Sequence, residues 1–237
     1  MIQLLRGLTS LLPDGTPLPI LRGPAKGCVW LAGAAPGPSK GLSVLWNHSE
    51  PDQLHAAQEL AQGKNCCFDI GAHAGLYSLI FARQAKRVCA FEPWPRNIAW
   101  LSRTLSWNRI ENATVLPWAV SLETGLQAFQ EGTHSSMGFL ETSGTLPVFA
   151  VSLRDFIARY GLQPELMKID VEGAETDVLQ GGIEFLRERK PALLLSTHGP
   201  ERRKECLKLL RGIGYENIRP LGSNSLDTAD EFRVEFQ

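Results

Sequence analysis

One stretch constrains this chain more than any other: Cys66-Cys67-Phe68-Asp69-Ile70-Gly71-Ala72-His73-Ala74-Gly75-Leu76-Tyr77-Ser78. An apolar run ends in an acid, a glycine turn follows, and a helical pattern begins. That is the strand–loop–helix junction of an α/β sheet, where a small ligand sits outside the carboxyl ends of the strands. Gly71 and Gly75 lack a Cβ, so the backbone there can turn through positive φ and approach a ligand closely. The helix that starts near Gly75 aims its free N–H groups at the same spot, which suits a carboxylate or phosphate.

The spacing narrows the ligand. A dinucleotide fingerprint needs G-x-G-x-x-G. Here the pattern is Asp69-x-Gly71-x-x-x-Gly75, with His73 where the second glycine belongs, and no Gly-Lys-Ser/Thr completes a Walker loop. An acid just before the first glycine repels a pyrophosphate. It suits a ligand with an amino group or a sulfonium, such as S-adenosylmethionine. The next strand, Arg87-Val88-Cys89-Ala90-Phe91, runs into Glu92. A carboxylate there can accept hydrogen bonds from both hydroxyls of an adenosine ribose. Either piece alone also fits mere tight packing; together and in order they point to the nucleoside.

Around this stretch the chain alternates strand and helix patterns. Helices are expected over residues 51–62, 76–84, 95–108, 153–160 and 201–210, and over 175–189 with a break at Gly181-Gly182. Strands are expected at 114–120, 148–151, 166–170 and 191–198, with Pro117 awkward in a central strand. Residues 125–140 read as a hairpin-rich insertion. A closing antiparallel hairpin is expected from 215–221 and 231–236. Trp100 and Trp107 lie seven apart on one helical face and are expected in the core. This order gives a mostly parallel sheet with helices on both faces. Residues 63–237 form that domain. Residues 1–62, broken by Pro13, Pro17, Pro19, Pro24, Pro36 and Pro38, form a small β-rich extension with a lead-in helix. Its short runs are 19–22, 28–31 and 42–46, with turns near Lys26-Gly27 and across 33–41. The extension caps the sheet, covers the site, or pairs subunits as a homo-oligomer; the sequence leaves these open.

Composition excludes little but helps. A net charge of -1 over 237 residues gives no electrostatic case for nucleic acid. Five cysteines with no C-x-x-C pair fit a reduced, cytoplasmic setting. No run is long enough to span a bilayer, and the first twelve residues lack the pattern of a signal peptide.

The chain resembles the FkbM family of S-adenosylmethionine-dependent methyltransferases. The matching segments are Phe68-Asp69-Ile70-Gly71-Ala72-His73-Ala74-Gly75, Ala90-Phe91-Glu92-Pro93 with Asn97, Ala119-Val120-Ser121 with Gly125, and Val151-Ser152-Leu153-Arg154-Asp155-Phe156. The most specific is Lys168-Ile169-Asp170-Val171-Glu172-Gly173-Ala174-Glu175, followed by Val178-Leu179-Gln180-Gly181. The resemblance implies a class I, Rossmann-like, seven-stranded sheet. It also implies O-methylation of a hydroxyl on a small natural product or sugar. It assigns the cofactor to Asp69, Gly71, Ala72, His73, Gly75, Tyr77, Ser78, Glu92, Pro93, Asn97, Ala119, Ser136 and Asp170. The chain departs from the family at His73, usually Asn; at Trp46-Asn47-His48-Ser49-Glu50, usually carrying a Tyr-Glu pair; and at Ser196, commonly Glu. His73 either donates to the cofactor carboxylate or points to solvent.

A hydroxyl acceptor needs alignment with the activated methyl and benefits from a base. Glu172, His198 and Asp170 are the candidates, with Glu172 or His198 as base and Asp170 near the methionine end of the cofactor. Their bland alternatives are a helix cap for Glu172 and a loop support for His198. The same three could hold Mg or Mn; the site is read as metal-free. Lys168-x-Asp170-x-Glu172 faintly resembles RNA 2′-O-methyltransferases, but the balanced charge and the lack of a basic aromatic stripe oppose that reading. Two other functions compete: a methyltransferase for a peptide or protein acceptor, and a non-catalytic cofactor-binding module.

Overall fold

Short apolar strands followed by amphipathic helices dictate the architecture of the computed structural model, which describes residues 12–35, 41–132 and 138–236. In chain order the elements are β1 (Pro17–Pro19), β2 (Val29–Leu31), a 3-10 turn (Leu42–Trp46), α1 (Pro51–Ala61), β3 (Cys67–Ile70), α2 (Leu76–Gln84), β4 (Val88–Phe91), α3 (Pro95–Trp107), β5 (Ala113–Leu116) and β6 (Ala119–Ser121). Then come β7 (Gly125–Gln130), β8 (Phe139–Leu140), β9 (Leu146–Ser152), α4 (Leu153–Tyr160), β10 (Leu166–Ile169), α5 (Glu175–Gly181), α6 (Ile183–Arg189), β11 (Ala192–Ser196), α7 (Pro200–Gly212), β12 (Asn217–Leu221) and β13 (Glu231–Glu235).

The main sheet is seven-stranded, in the order β12-β13-β11-β10-β3-β4-β5. β11, β10, β3, β4 and β5 run parallel, and β13 enters antiparallel to β11 and β12. This is the sheet the sequence predicts, closed by the expected terminal hairpin. Its central strands are buried on both faces, as parallel strands covered by helices must be. Alternate residues feed two cores. Cys67, Val88, Ala90 and Leu166 pack with α1, α2, α3 and the N-terminal extension. Phe68, Ile70, Phe91, Met167 and Ile169 pack with α4 to α7.

Four expectations change. The apolar run 42–46 is a 3-10 turn rather than a strand, because Gly41 and Asn47 at its ends are both left-handed and curl the chain. The expected strand 114–120 breaks at Pro117, which has no N–H for a ladder. Its two halves join different sheets: β5 ends the main one, while β6 pairs β9 in a four-stranded sheet of order β6-β9-β7-β8. Trp107 is 52% exposed and not core; Trp100 is half-buried, with Arg103 over its ring. In the extension, β1 and β2 form an antiparallel hairpin. Asn108 at the end of α3 clamps it, accepting from the Val29 N–H at 2.6 Å and donating to the Val29 carbonyl at 2.8 Å. The strand expected at 19–22 lies earlier, at Pro17–Pro19. No helix among the described residues is long and apolar enough to cross a membrane.

Candidate active site

The ladder register brings three residues level at the strand tips. Ile70 is opposite both Phe91 and Ile169, so the next residues, Gly71, Glu92 and Asp170, emerge together from β3, β4 and β10. A cavity of about 430 Å³ opens above them, within the range of small-molecule sites. Its lining includes Gly71, Ala72, His73, Tyr77, Glu92, Pro93, Asn97, Ala119, Asp170, Glu172 and His198. The sequence singles out every one of these.

Four other expected residues stand apart. Asp69 is fully buried and does not line the cavity. It lies within the ladder, opposite Lys168, one residue short of the strand tip. Its Oδ2 accepts the Ser78 hydroxyl at 2.6 Å, so Ser78 is also turned inward. Both support the glycine loop from behind rather than touching a ligand in the cavity. Gly75 caps α2 in the left-handed region behind the wall. Ser136 lies outside the described residues.

Glu92 forms the floor at the β4 side. It is 5% exposed and its carboxylate accepts the His73 N–H at 2.8 Å, the Trp94 N–H at 3.0 Å and the Asn97 amide at 3.3 Å. Burial pushes its pKa up to about 7 against those three hydrogen bonds. Carboxylate oxygens have further acceptor capacity, which suits a ribose diol. His73 lines the cavity with φ 49. Burial and the nearby Lys168 charge lower its pKa to about 4, leaving a neutral imidazole.

Lys168 is the residue that sequence reasoning undervalued. It is a lysine inside a buried strand pattern, which was the available signal. Its Nζ donates to the Gly71 carbonyl at 2.7 Å and pairs with Asp170 Oδ2 at 3.0 Å and Asp69 Oδ1 at 3.9 Å. It also sits 5.3 Å from the centre of the Tyr77 ring. Burial opposes its charge, but Asp170 and Asp69 hold its pKa above the ordinary lysine range. It is therefore a fixed cation and no base.

On the far side of Asp170, three carboxylates surround one imidazole. His198 Nδ1 lies 2.7 Å from Glu175 Oε1, and Nε2 lies 3.3 Å from Glu172 Oε2 and 3.7 Å from Asp170 Oδ1. Glu175, fully buried at the start of α5, also accepts the Gly173 N–H at 2.9 Å. Glu175 was visible in the sequence only as part of a motif. Burial works against the imidazolium, yet the Glu175 hydrogen bond and the Glu172 and Asp170 charges raise its pKa to about 9. Burial also lifts Glu172 to about 6, partly offset by His198. Asp170 moves the other way, held below the usual range by Lys168 and His198 despite its burial. Glu172 sits at φ 53, a strained setting for a non-glycine residue of the kind that gathers at functional sites. Asp170, Glu172 and His198 each offer a ligand atom within 4.8 Å of the others, so the donor set would also accept a divalent cation.

Two further segments complete the cavity, one of them the extension, for which covering the site was one of the three roles the sequence left open. Trp30, Ser43, Ser49 and Glu50 come from the N-terminal extension and its 3-10 turn, and Glu231 comes from β13. Trp118 and Phe129 wall the Glu92 side.

Known proteins resemble this chain in sequence and in fold. The family model described as the methyltransferase FkbM domain matches residues 69–217. The hexuronic acid methyltransferase AglP of Haloferax volcanii is 26% identical over 170 residues, 68% of this chain and 67% of that protein. Among solved structures, the methyltransferase FkbM of Methylobacillus flagellatus KT aligns with a TM-score of 0.55 at 19% identity, over 74% of this chain and 44% of that one. The ribosomal protein L11 methylase of Lactobacillus delbrueckii subsp. bulgaricus aligns with a TM-score of 0.50 at 12% identity, over 79% of this chain and 77% of that one. These structural likenesses speak for the fold. The family model, covering well over half of the residues, speaks for more: the chain belongs to the FkbM family of methyltransferases, whose methyl donor is S-adenosylmethionine.

Proposed function

We propose that this chain methylates a hydroxyl of a small, sugar-like acceptor. The observation that carries the reading is the carboxylate–imidazole cluster at the cavity edge, beside a floor suited to an adenosyl amino acid. The buried Glu92 offers acceptors for the ribose. The close approach of Gly71 to the β10 tip and the neutral His73 leave room at the methionine end, with Asp170 beside it for the ammonium. When bound, the cofactor supplies a methyl group already activated by its sulfonium. The sugar class of the acceptor, and not its charge, is supported by the name of the curated relative, a hexuronic acid methyltransferase.

The chain's residues then have two tasks, holding the acceptor hydroxyl in line and receiving its proton. His198 is the weaker base at neutral pH, because a pKa of about 9 keeps it protonated. Glu172, at about 6, is ionised and faces the cavity. Glu172 Oε2 therefore takes the proton, and the His198 imidazolium holds that carboxylate in place. Glu172→Gln should lower kcat by about 10²–10⁴-fold, the usual worth of a positioned base, while leaving cofactor affinity in a calorimetric titration intact. Wild-type turnover in that variant would sink the assignment.

The pH profile follows from the same two groups. Activity should rise as Glu172 loses its proton near pH 6 and fall as His198 loses its own near pH 9. A bell-shaped kcat/KM with those limbs is the expected result, since that parameter reports the free enzyme. On this reading the His198 cation stands between Glu172 and Asp170, and the reaction runs without a divalent ion. Dialysis against a chelator should leave turnover unchanged; loss of activity restored by Mg or Mn would overturn this.

A further inference from the structure

The cavity has two walls of different origin. The floor comes from residues 69–217, the segment that carries the family match. The facing wall comes from outside that segment, and two of its residues are the acids Glu50 and Glu231. Each is held by a hydroxyl. The Tyr77 O–H donates to Glu50 Oε2 at 2.8 Å, and Glu50 is set by its left-handed position at the start of α1. The Ser196 O–H donates to Glu231 Oε2 at 2.8 Å, a consequence of their facing positions in the β11–β13 ladder. Among the described residues no ion pair reaches either acid. The cations that line the cavity are engaged elsewhere, Lys168 with Asp170 and Asp69, His198 with Glu172 and Glu175.

A carboxylate that accepts one protein hydroxyl keeps several lone-pair sites. Two such groups on one wall can receive neighbouring hydroxyls or an ammonium from a ligand. A ligand carboxylate or phosphate would instead meet like charge, which costs affinity and works as selection against it. Burial, with the Asp170 and Glu50 charges, pushes Glu231 up to about 7 against the Ser196 hydrogen bond and the Lys168 charge, so its share of the repulsion grows as pH rises through that value.

Building on the hydroxyl-methylation reading, we propose that Glu50 and Glu231 determine acceptor specificity. They select a polyhydroxylated acceptor that is uncharged or carries an amine, and reject one that bears a carboxylate or phosphate.

The test uses three probes of one ring type, methyl glucoside, glucosamine and glucuronate. Transfer is measured with the wild type, Glu50→Gln and Glu231→Gln, alongside a cofactor titration of each. Gln keeps the hydrogen bonds from Tyr77 and Ser196, so folding should survive. The wild type is expected to favour the glucoside and glucosamine over glucuronate. Each substitution should narrow that preference at least about tenfold without changing cofactor affinity. A wild type that prefers glucuronate, or a ranking unmoved by both substitutions, would overturn the proposal. If the wild type binds cofactor but methylates none of the three, the sugar-hydroxyl reading itself fails and takes this one with it.

Discussion

Lys168→Met is expected to lower folding stability by about 3–5 kcal/mol, the cost of stripping one partner from a buried ion pair. The residue is 4% exposed, and its ammonium is held at the cavity wall by the Gly71 carbonyl and Asp170. What makes the loss large is Asp69. It is fully buried, its Oδ2 accepts from Ser78, and its Oδ1 has no hydrogen-bond partner. Among the described residues, the compensation for that oxygen is the Lys168 charge at 3.9 Å. Burial already raises the Asp69 pKa; without the lysine the carboxylate is left with its Ser78 hydrogen bonds alone among the described residues. The substitution also frees the Gly71 carbonyl and weakens the hold on Asp170. In chemical denaturation the midpoint should fall with little change in slope. In thermal melts Tm should drop on the order of 10 °C for a chain of this length. The diagnostic is the double variant. Lys168→Met with Asp69→Asn removes both buried charges and should recover at least about 1 kcal/mol relative to the single variant. A single variant as stable as wild type would show that the network carries no weight. Strict additivity of the two changes would show that Asp69 and Lys168 do not lean on each other.

That pair also shows where reading the sequence reached its limit. The sheet is legible because apolar four-residue strands alternate with helical periods and glycine punctuation, and each of those signals is local. Glu92 and Asp170 are legible as site residues because each follows its strand's last residue and so leaves the ladder. Asp69 has a similar look in the sequence, an acid closing an apolar run. But it is still inside its strand, and the pleat sends it to the face that carries Ser78 and Lys168. One residue of register separates a ligand contact from a buried support. The acceptor wall was only partly legible, for a different reason: covering the site was one of three roles open to the extension, and nothing singled out its acids. Glu50 and Glu231 are far apart in sequence and meet the same cavity only because the extension folds over α2 and β13 inserts beside β11. No periodicity carries that information. Pro117 was a local warning of a broken strand, yet nothing local announced that β6 would leave for a second sheet with β9.

Gly71→Ala should be the most damaging single-methyl change in the glycine loop. Gly71 has φ +77, and a Cβ there would lie 1.8 Å from the Asp170 carbonyl oxygen and 2.9 Å from its carbon. Those are backbone atoms of the neighbouring strand tip and cannot swing aside as the end of a side chain can. The loop itself cannot retreat freely either. The Gly71 N–H donates to the Phe91 carbonyl at 3.0 Å, and its own carbonyl accepts from Lys168 at 2.7 Å. Strain and overpacking together are expected to cost about 2–5 kcal/mol. Whatever relief the loop finds must move Lys168 or part β3 from β10, so cofactor affinity should fall as well. Gly63→Ala provides the comparison, because Gly63 has φ +71 but open space around its Cβ. That variant should show only the conformational penalty, about 1–2 kcal/mol, and normal cofactor binding. Equal losses at the two positions would mean that positive φ alone explains Gly71. A larger loss at Gly71, together with weakened cofactor binding, would mean that the site depends on two strand tips brought closer than any side chain allows.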